Sequence, residues 1–136
     1  KRSDPQSEIF EAKAGNGQVI ERSEGYRDAK GNFVKHGISR EWFDSGELRR
    51  ESNWTHGTQV GADKRWYDNG QLRSESHYEN GLLHGLAREW YPEGQLRLEG
   101  GYQRGIKHGV GRMWKRSGEL AGEVEMNNGV VVQKNP

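Results

Sequence analysis

Three histidines, His36, His84 and His108, sit in the same setting, each followed by a glycine, and four glutamates, Glu51, Glu75, Glu99 and Glu123, recur at one fixed interval. A histidine row is raw material for a zinc site, and paired carboxylates for glycoside hydrolysis. Neither chemistry suits this spacing. If each repeating unit holds two strands, the histidines stand roughly 10 Å apart, too far to share one ion. Repetition gives each glutamate nearly the same surroundings, whereas acid and base roles need environments that differ. Gly15-Asn16-Gly17 has no following helix to make it a phosphate loop, and no nucleophile signature accompanies it. No catalytic residue, metal ligand or cofactor site is therefore expected.

Two further sets are suited to binding. Arg40, Lys64, Arg88 and Arg112 each precede a tryptophan by two positions. Stacked cations and indoles can hold an anionic lipid or an acidic loop. Side-chain stems that cover apolar surface explain the same pattern. Phe43, Tyr67 and Tyr91 directly follow the tryptophans, with Arg49, Arg73 and Arg97 a short way further on in each unit. Aromatics flanked by arginine are the usual anchors of protein interfaces. These six residues are the expected partner-binding surface.

The surrounding composition narrows the class. Hydrophobic residues make up 30% of the 136 residues, too few for a thick two-layer globule, yet aromatics reach 10% and are spaced periodically. Net charge is +1 with both signs interspersed, which argues against a nucleic-acid partner. Cysteine is absent, removing disulfides and thiol chemistry. The chain starts at Lys1 rather than Met, which fits a mature form that has lost a signal or anchor; a periplasmic location is the expectation if the partner acts on the cell envelope, with the cytoplasm as the alternative.

The positioning elements follow from the period. Trp42, Trp66, Trp90 and Trp114 share one constant spacing, and Gly46, Gly70, Gly94 and Gly118 share the same one. A period of about 24 residues is the mark of stacked supersecondary units. Each unit carries two turn signals, exemplified by Asp44-Ser45-Gly46 and Thr55-His56-Gly57. Both read as three-residue hairpin loops ending in a left-handed glycine. About a dozen residues per strand and turn suit a β-meander. The expected fold is all-β: an elongated, curved, single-layer antiparallel meander of stacked β-hairpins, about ten strands and on the order of 50 Å long. Residues 1–36 form a degenerate capping repeat and loop, 37–129 four regular units, and 130–136 an edge strand and tail, all in one domain. Residues 14–20 are a first unit without its tryptophan, and 28–32 a looser loop.

Three-residue loops pair Trp42 with Leu48 and Glu41 with Arg49, so even positions face even positions. Nearly all large apolar residues are even-numbered. This predicts one aromatic face that includes Trp54, Tyr78 and Leu82, with Tyr78 opposite Leu82. It also predicts a polar face on which Glu51, Glu75 and Glu99 pair with Arg49, Arg73 and Arg97. Each indole is expected to cover the turn glycine of the preceding unit, as Trp90 would cover Gly70. The apolar face is then curled tightly, covered by residues 1–30, or used for binding.

The pattern W-Y-x-N-G-Q-L-x-x-E-x-x-Y-x-N-G-x-x-x-G, nearly verbatim in residues 66–85 and close in 42–61 and 90–109, resembles the variant MORN repeat of bacterial toxin–antitoxin and immunity proteins. Residues 114–129 match partly and 1–30 poorly. The resemblance implies a stacked-hairpin sheet without enzymatic activity that binds proteins or membranes. Among bacterial members it points to antitoxins that neutralise effectors such as secreted lipases. A membrane-associated scaffold that binds anionic phospholipid is the alternative.

Overall fold

Two turn signals in each repeat leave runs of roughly six to ten residues between them, too short for a helix with a buried face and long enough for a strand. The computed structural model describes residues 5–135 and has this form throughout. Residues 1–4 and 136, parts of the expected cap and tail, lie outside the described residues. The strands are β1 (Glu8–Lys13), β2 (Val19–Arg27), β3 (Phe33–Trp42), β4 (Leu48–Thr55), β5 (Thr58–Trp66), β6 (Leu72–Glu79), β7 (Leu82–Leu83), β8 (Gly85–Trp90), β9 (Leu96–Gln103), β10 (Ile106–Lys107), β11 (Gly109–Trp114), β12 (Leu120–Asn127) and β13 (Val130–Asn135). They form one open antiparallel sheet whose path visits eleven strands in chain order. The short β7 and β10 pair with β6 and β9 and lead directly into β8 and β11. Residues 8–27 extend this sheet as β1 and β2; they do not cover a face.

The two turns differ. At the first, Gly46 N–H donates to the Phe43 carbonyl and Phe43 N–H to the Glu47 carbonyl, both at 2.9 Å, with Gly46 at φ +92. This is the expected three-residue loop, and it repeats at Tyr67, Tyr91 and Lys115. Residues 14–18 and 28–32 form it as well, so the latter is a tight turn rather than a looser loop. The second turn has only two residues. Thr55 pairs with Thr58, and His56 and Gly57 both have positive φ (46 and 80). Asn80-Gly81, Arg104-Gly105 and Asn128-Gly129 do the same. Two consecutive left-handed residues match the strands' own twist, which is why Asn-Gly serves here. Tyr78 accordingly pairs with Leu83, not Leu82.

A β-bulge beside each first turn changes the faces. Trp42 pairs with Leu48, but Glu41 pairs with Arg50 and Arg40 with Glu51. Arg49 is the extra residue, and Arg73, Arg97 and Ala121 occupy its place in the later units. One inserted residue exchanges the faces of everything beyond it. The four tryptophans at positions 42, 66, 90 and 114 share one face with Arg40, Lys64, Arg88, Arg112 and the glutamate ladder. Trp54, Tyr78, Leu98, Tyr102, Val124 and Met126 lie on the other, with Ser39 and Ser52. A single aromatic face is therefore not formed.

Neither face carries a buried hydrophobic side chain among the described residues; those fully buried are Ser23, Ser39, Ser52 and Asp63. Indoles do not shield the first-turn glycines. The carboxamides of Gln18 and Gln71 lie beside Gly46 and Gly94, and Gly70 is open to solvent. The register places Trp90 toward Arg73 rather than Gly70. Units are joined by other means: Tyr67 and Tyr91 hydroxyls donate to the Trp90 and Trp114 carbonyls at 2.7 Å. Val34, Thr58, Leu82 and Ile106 each stand against the glycine of the next second turn.

Candidate protein-binding face

Strand register arranges the Ser39 face in rows that run across the strands. The central row passes from Ser23 to Ser39 and Ser52, then Asp63 and Ser76, then Ala87 and Gly100, then Gly111, Val124 and Lys134. Nine of these ten are explained by two columns of the period, 39/63/87/111 and 52/76/100/124, plus Ser23. Seven of the ten are Ser, Ala or Gly. On the first-turn side runs a row of Glu41, Arg50, Arg65, Ser74, Glu89, Leu98, Met113 and Gly122. On the other side stand Trp54, Tyr78, Tyr102 and Met126. Small residues between larger rows make a trough.

Its two halves differ chemically. Over β2 to β6 the chain's own polar groups close it. Ser23 and Ser39 share a 2.6 Å hydrogen bond, and the Trp54 indole N–H donates to Ser52 Oγ at 2.9 Å. Asp63 is 1% exposed and accepts from Arg50 Nη2 (2.8 Å), Arg50 Nε (3.2 Å), Gln59 (2.6 Å) and Arg65 Nε (3.3 Å). Arg50 also reaches Glu41 at 3.4 Å. Burial pulls the Arg50 pKa down, but the bonds and charges of Asp63 and Glu41 outweigh it and raise it above the usual arginine value. Lys35 bridges Glu21 at 3.6 Å and stacks over Trp54 at 4.9 Å. Over β8 to β12 the corresponding positions become Leu98, Met113, Gly100, Gly111 and Gly122, and the trough stays open, with a volume of about 540 Å³.

The aromatic–arginine ladder forms the rim of this same face. Phe43, Tyr67 and Tyr91 stand two positions beyond Glu41, Arg65 and Glu89 and are half-buried at the first-turn edge. Arg49 lies over Phe43 (5.9 Å), Arg73 over Tyr67 (5.6 Å) and Arg97 over Tyr91 (5.9 Å), with Arg116 adding a second cation at 5.2 Å. The bulge lets this happen, because the inserted residue turns back over the ring before it. Arg49, Arg73 and Arg97 are exposed, and among the described residues none has an ion-pair partner. Guanidinium planes held over rings, with donors unused among the described residues, suit carboxylates of another molecule.

The opposite, tryptophan-bearing face has its cations engaged. Arg40 bonds Glu51 at 2.9 Å, Arg88 bonds Glu99 at 2.7 Å, Arg112 bonds Glu123 at 2.9 Å, and Lys64 reaches Glu75 at 3.8 Å. The glutamates thus pair with the residues ahead of the tryptophans, not with Arg49, Arg73 and Arg97, because the bulge moves them to that face. The histidine corners serve the backbone: His36 and His108 Nδ1 accept from the His56 and Asn128 N–H groups of the second turns. His36 stacks on His56 at 4.4 Å, and Tyr26 hydrogen-bonds His56 at 2.9 Å.

The polar closure and the open trough escape a reading based on parity alone. The signal was present in the two small-residue columns, which belong together only once the bulge is known.

The family model described as MORN repeat variant matches residues 35–56, 59–80 and 83–104. These segments keep the interval of the tryptophans. Each begins just before Gly37, Gly61 or Gly85 and ends at the first residue of the next two-residue turn. No curated protein matches the chain.

Proposed function

We propose that this chain, which carries three repeats of the MORN variant, is a non-enzymatic protein-binding module whose ladder-bearing face grips a cognate bacterial toxin and covers its active site or substrate entrance. In this reading it is an antitoxin or immunity protein, its target a secreted effector of the lipase type, and its compartment the periplasm. The observation that carries it is the row of three exposed arginines lying over aromatic rings, with no carboxylate partner among the described residues. A surface held this way loses little conformational entropy on binding. Exposed charges at its rim steer an acidic partner into register. The cations on the tryptophan face are already neutralised, which disfavours that face for an anionic membrane.

The test is capture of partners on the immobilised chain, followed by assay of the captured enzyme with and without it. A stoichiometric complex with suppressed activity supports the reading. So does a fall of at least tenfold in association rate for the Arg49→Glu/Arg73→Glu/Arg97→Glu variant. Binding to anionic liposomes in a salt-sensitive manner, with no protein partner, would replace it by the scaffold alternative.

A further inference from the structure

The open half of the trough is an apolar groove left unfilled on the ladder-bearing face. Its walls are Leu98 and Met113 on one side and Tyr102 and Met126 on the other, with Val124 at its end. The chain has two methionines, and both stand here. Methionine side chains adapt to varied partners and recur at protein-binding surfaces. The floor is Ala87, Gly100 and Gly111, with Gly122 beside Met113.

Nothing internal requires those glycines. Gly100, Gly111 and Gly122 do not have positive φ. A Cβ placed on them would meet nothing closer than 3.8, 3.6 and 3.7 Å, which is ordinary contact. Gly101 differs, since a Cβ there would meet the His108 carbonyl oxygen at 2.6 Å. Glycine in a strand interior weakens it, so three with no internal need leave room for something external.

Charges at the two ends decide what fits. Glu89 stands at the β8 end beside Leu98, Lys134 at the β13 end beside Val124, and Lys107 beside Tyr102. Among the described residues none of the three is ion-paired. A lipid chain with one anionic head would satisfy the lysines and leave Glu89 opposed. An extended peptide can present both signs around an apolar middle.

We infer that this trough seats an extended segment of a partner protein lying across β8 to β12. Its apolar side chains rest over Gly100 and Gly111, its carboxylate faces Lys107 and Lys134, and a basic or amide group faces Glu89. This rests on the protein-binding reading above and assigns the seat that anchors the partner next to the arginine rim.

A phage-displayed library of random dodecapeptides, panned on the full chain, tests it. The expected result is a set of peptides with apolar residues at alternate positions and an acid. Gly111→Val, which plugs the floor, should weaken them at least tenfold, and Lys107→Ala/Lys134→Ala at least threefold. Gly111→Val should melt no lower than the wild type, which separates plugging from unfolding. Peptides that bind the plugged variant equally well, an empty selection, or a melting point lowered by the valine would each overturn the assignment. So would dodecanoate or anionic vesicles that bind the wild type and lose binding in Gly111→Val, since the groove would then be a lipid slot. A captured partner that is insensitive to Gly111→Val but lost on Arg49→Glu/Arg73→Glu/Arg97→Glu would leave the broader proposal standing and remove this one.

Discussion

Replacing Asp63 by serine, the residue its period partner Ser39 already carries, tests whether a sheet without a hydrophobic core leans on its polar closure. The carboxylate is 1% exposed, and the shorter serine hydroxyl does not reach the same donors. Arg50 would lose both bonds to Asp63 and keep only the 3.4 Å contact with Glu41. Removing one member of a buried pair costs about 3–5 kcal/mol. The Arg50 side chain is 23% exposed, so water recovers part of that, and about 3 kcal/mol is the expected loss. At roughly 2.1 cal/mol/K of unfolding entropy per residue, this lowers Tm by about 10 °C. Arg50→Ser, which copies Ser74, should be comparably harmful alone, whereas the double variant should recover about 2 kcal/mol of the summed losses. Urea unfolding of the four proteins supplies the cycle. A loss below about 1 kcal/mol for Asp63→Ser, with additive behaviour in the double variant, would refute the reasoning.

Three further outcomes follow from the units' own differences. Tyr67→Phe and Tyr91→Phe should each cost about 1 kcal/mol in chemical denaturation, the worth of the bond to the next tryptophan carbonyl, while Phe43→Tyr should gain up to about that by supplying the missing bond to Trp66. Arg104 sits at φ +50 where Asn80 and Asn128 serve in sister turns, so Arg104→Asn should raise stability by about 0.5–1 kcal/mol, measured by the same method. The Asp28 carboxyl accepts from the backbone of Asn32 first and of Lys30 besides, and this holds its pKa below the ordinary 3.8. The 28–32 turn is therefore supported above pH 3.8 and loses that support as pH falls through the lower, folded value; NMR titration should place the Asp28 midpoint below 3.8, and Asp28→Asn should abolish the matching pH-dependent change in the Lys30 and Asn32 amide chemical shifts.

The period and the glycines made the stacked hairpins legible from sequence, because left-handed positions at fixed intervals leave few alternatives to turns. The faces were not legible, and a single residue per unit explains why. Counting outward from Asp44-Ser45-Gly46 pairs Trp42 with Leu48 correctly, then fails one step later when Arg49 bulges out. The bulge residues are Arg49, Arg73, Arg97 and Ala121, types that occur as readily in regular strands and helices and so do not announce a bulge. The turn's own bond, Phe43 N–H to the Glu47 carbonyl, keeps the register of the Trp42–Leu48 pair, and the ladder slips only at the next step, where Glu41 meets Arg50. The same shift carries the glutamates away from Arg49, Arg73 and Arg97, which have no ion-pair partner among the described residues. The binding candidates were thus chosen for their types, and their availability comes from a backbone irregularity invisible in those types.

Symmetry of the backbone and asymmetry of the side chains divide the work along the sheet. Each unit touches only its neighbours, so stabilisation around Asp63 cannot substitute for contacts missing four strands away. The half over β8 to β12 must therefore stand on its ladder bonds, on Tyr91 and on the Arg88–Glu99 and Arg112–Glu123 pairs of the other face. Its trough residues contribute little to that, being left half-solvated over glycine. A repeat array optimised for stability alone would carry the polar closure, or larger apolar side chains, through all its units. Here the period persists while the filling stops, and it stops on the face whose rim arginines, Arg49, Arg73 and Arg97, have no ion-pair partner among the described residues. Local stability is lower where apolar surface is open, and burial of that surface by a partner returns roughly 25 cal/mol for each Å² covered. Folding of the closed half and binding at the open half are thus two uses of one backbone geometry, separated by which residues occupy columns 63/87/111 and 76/100/124.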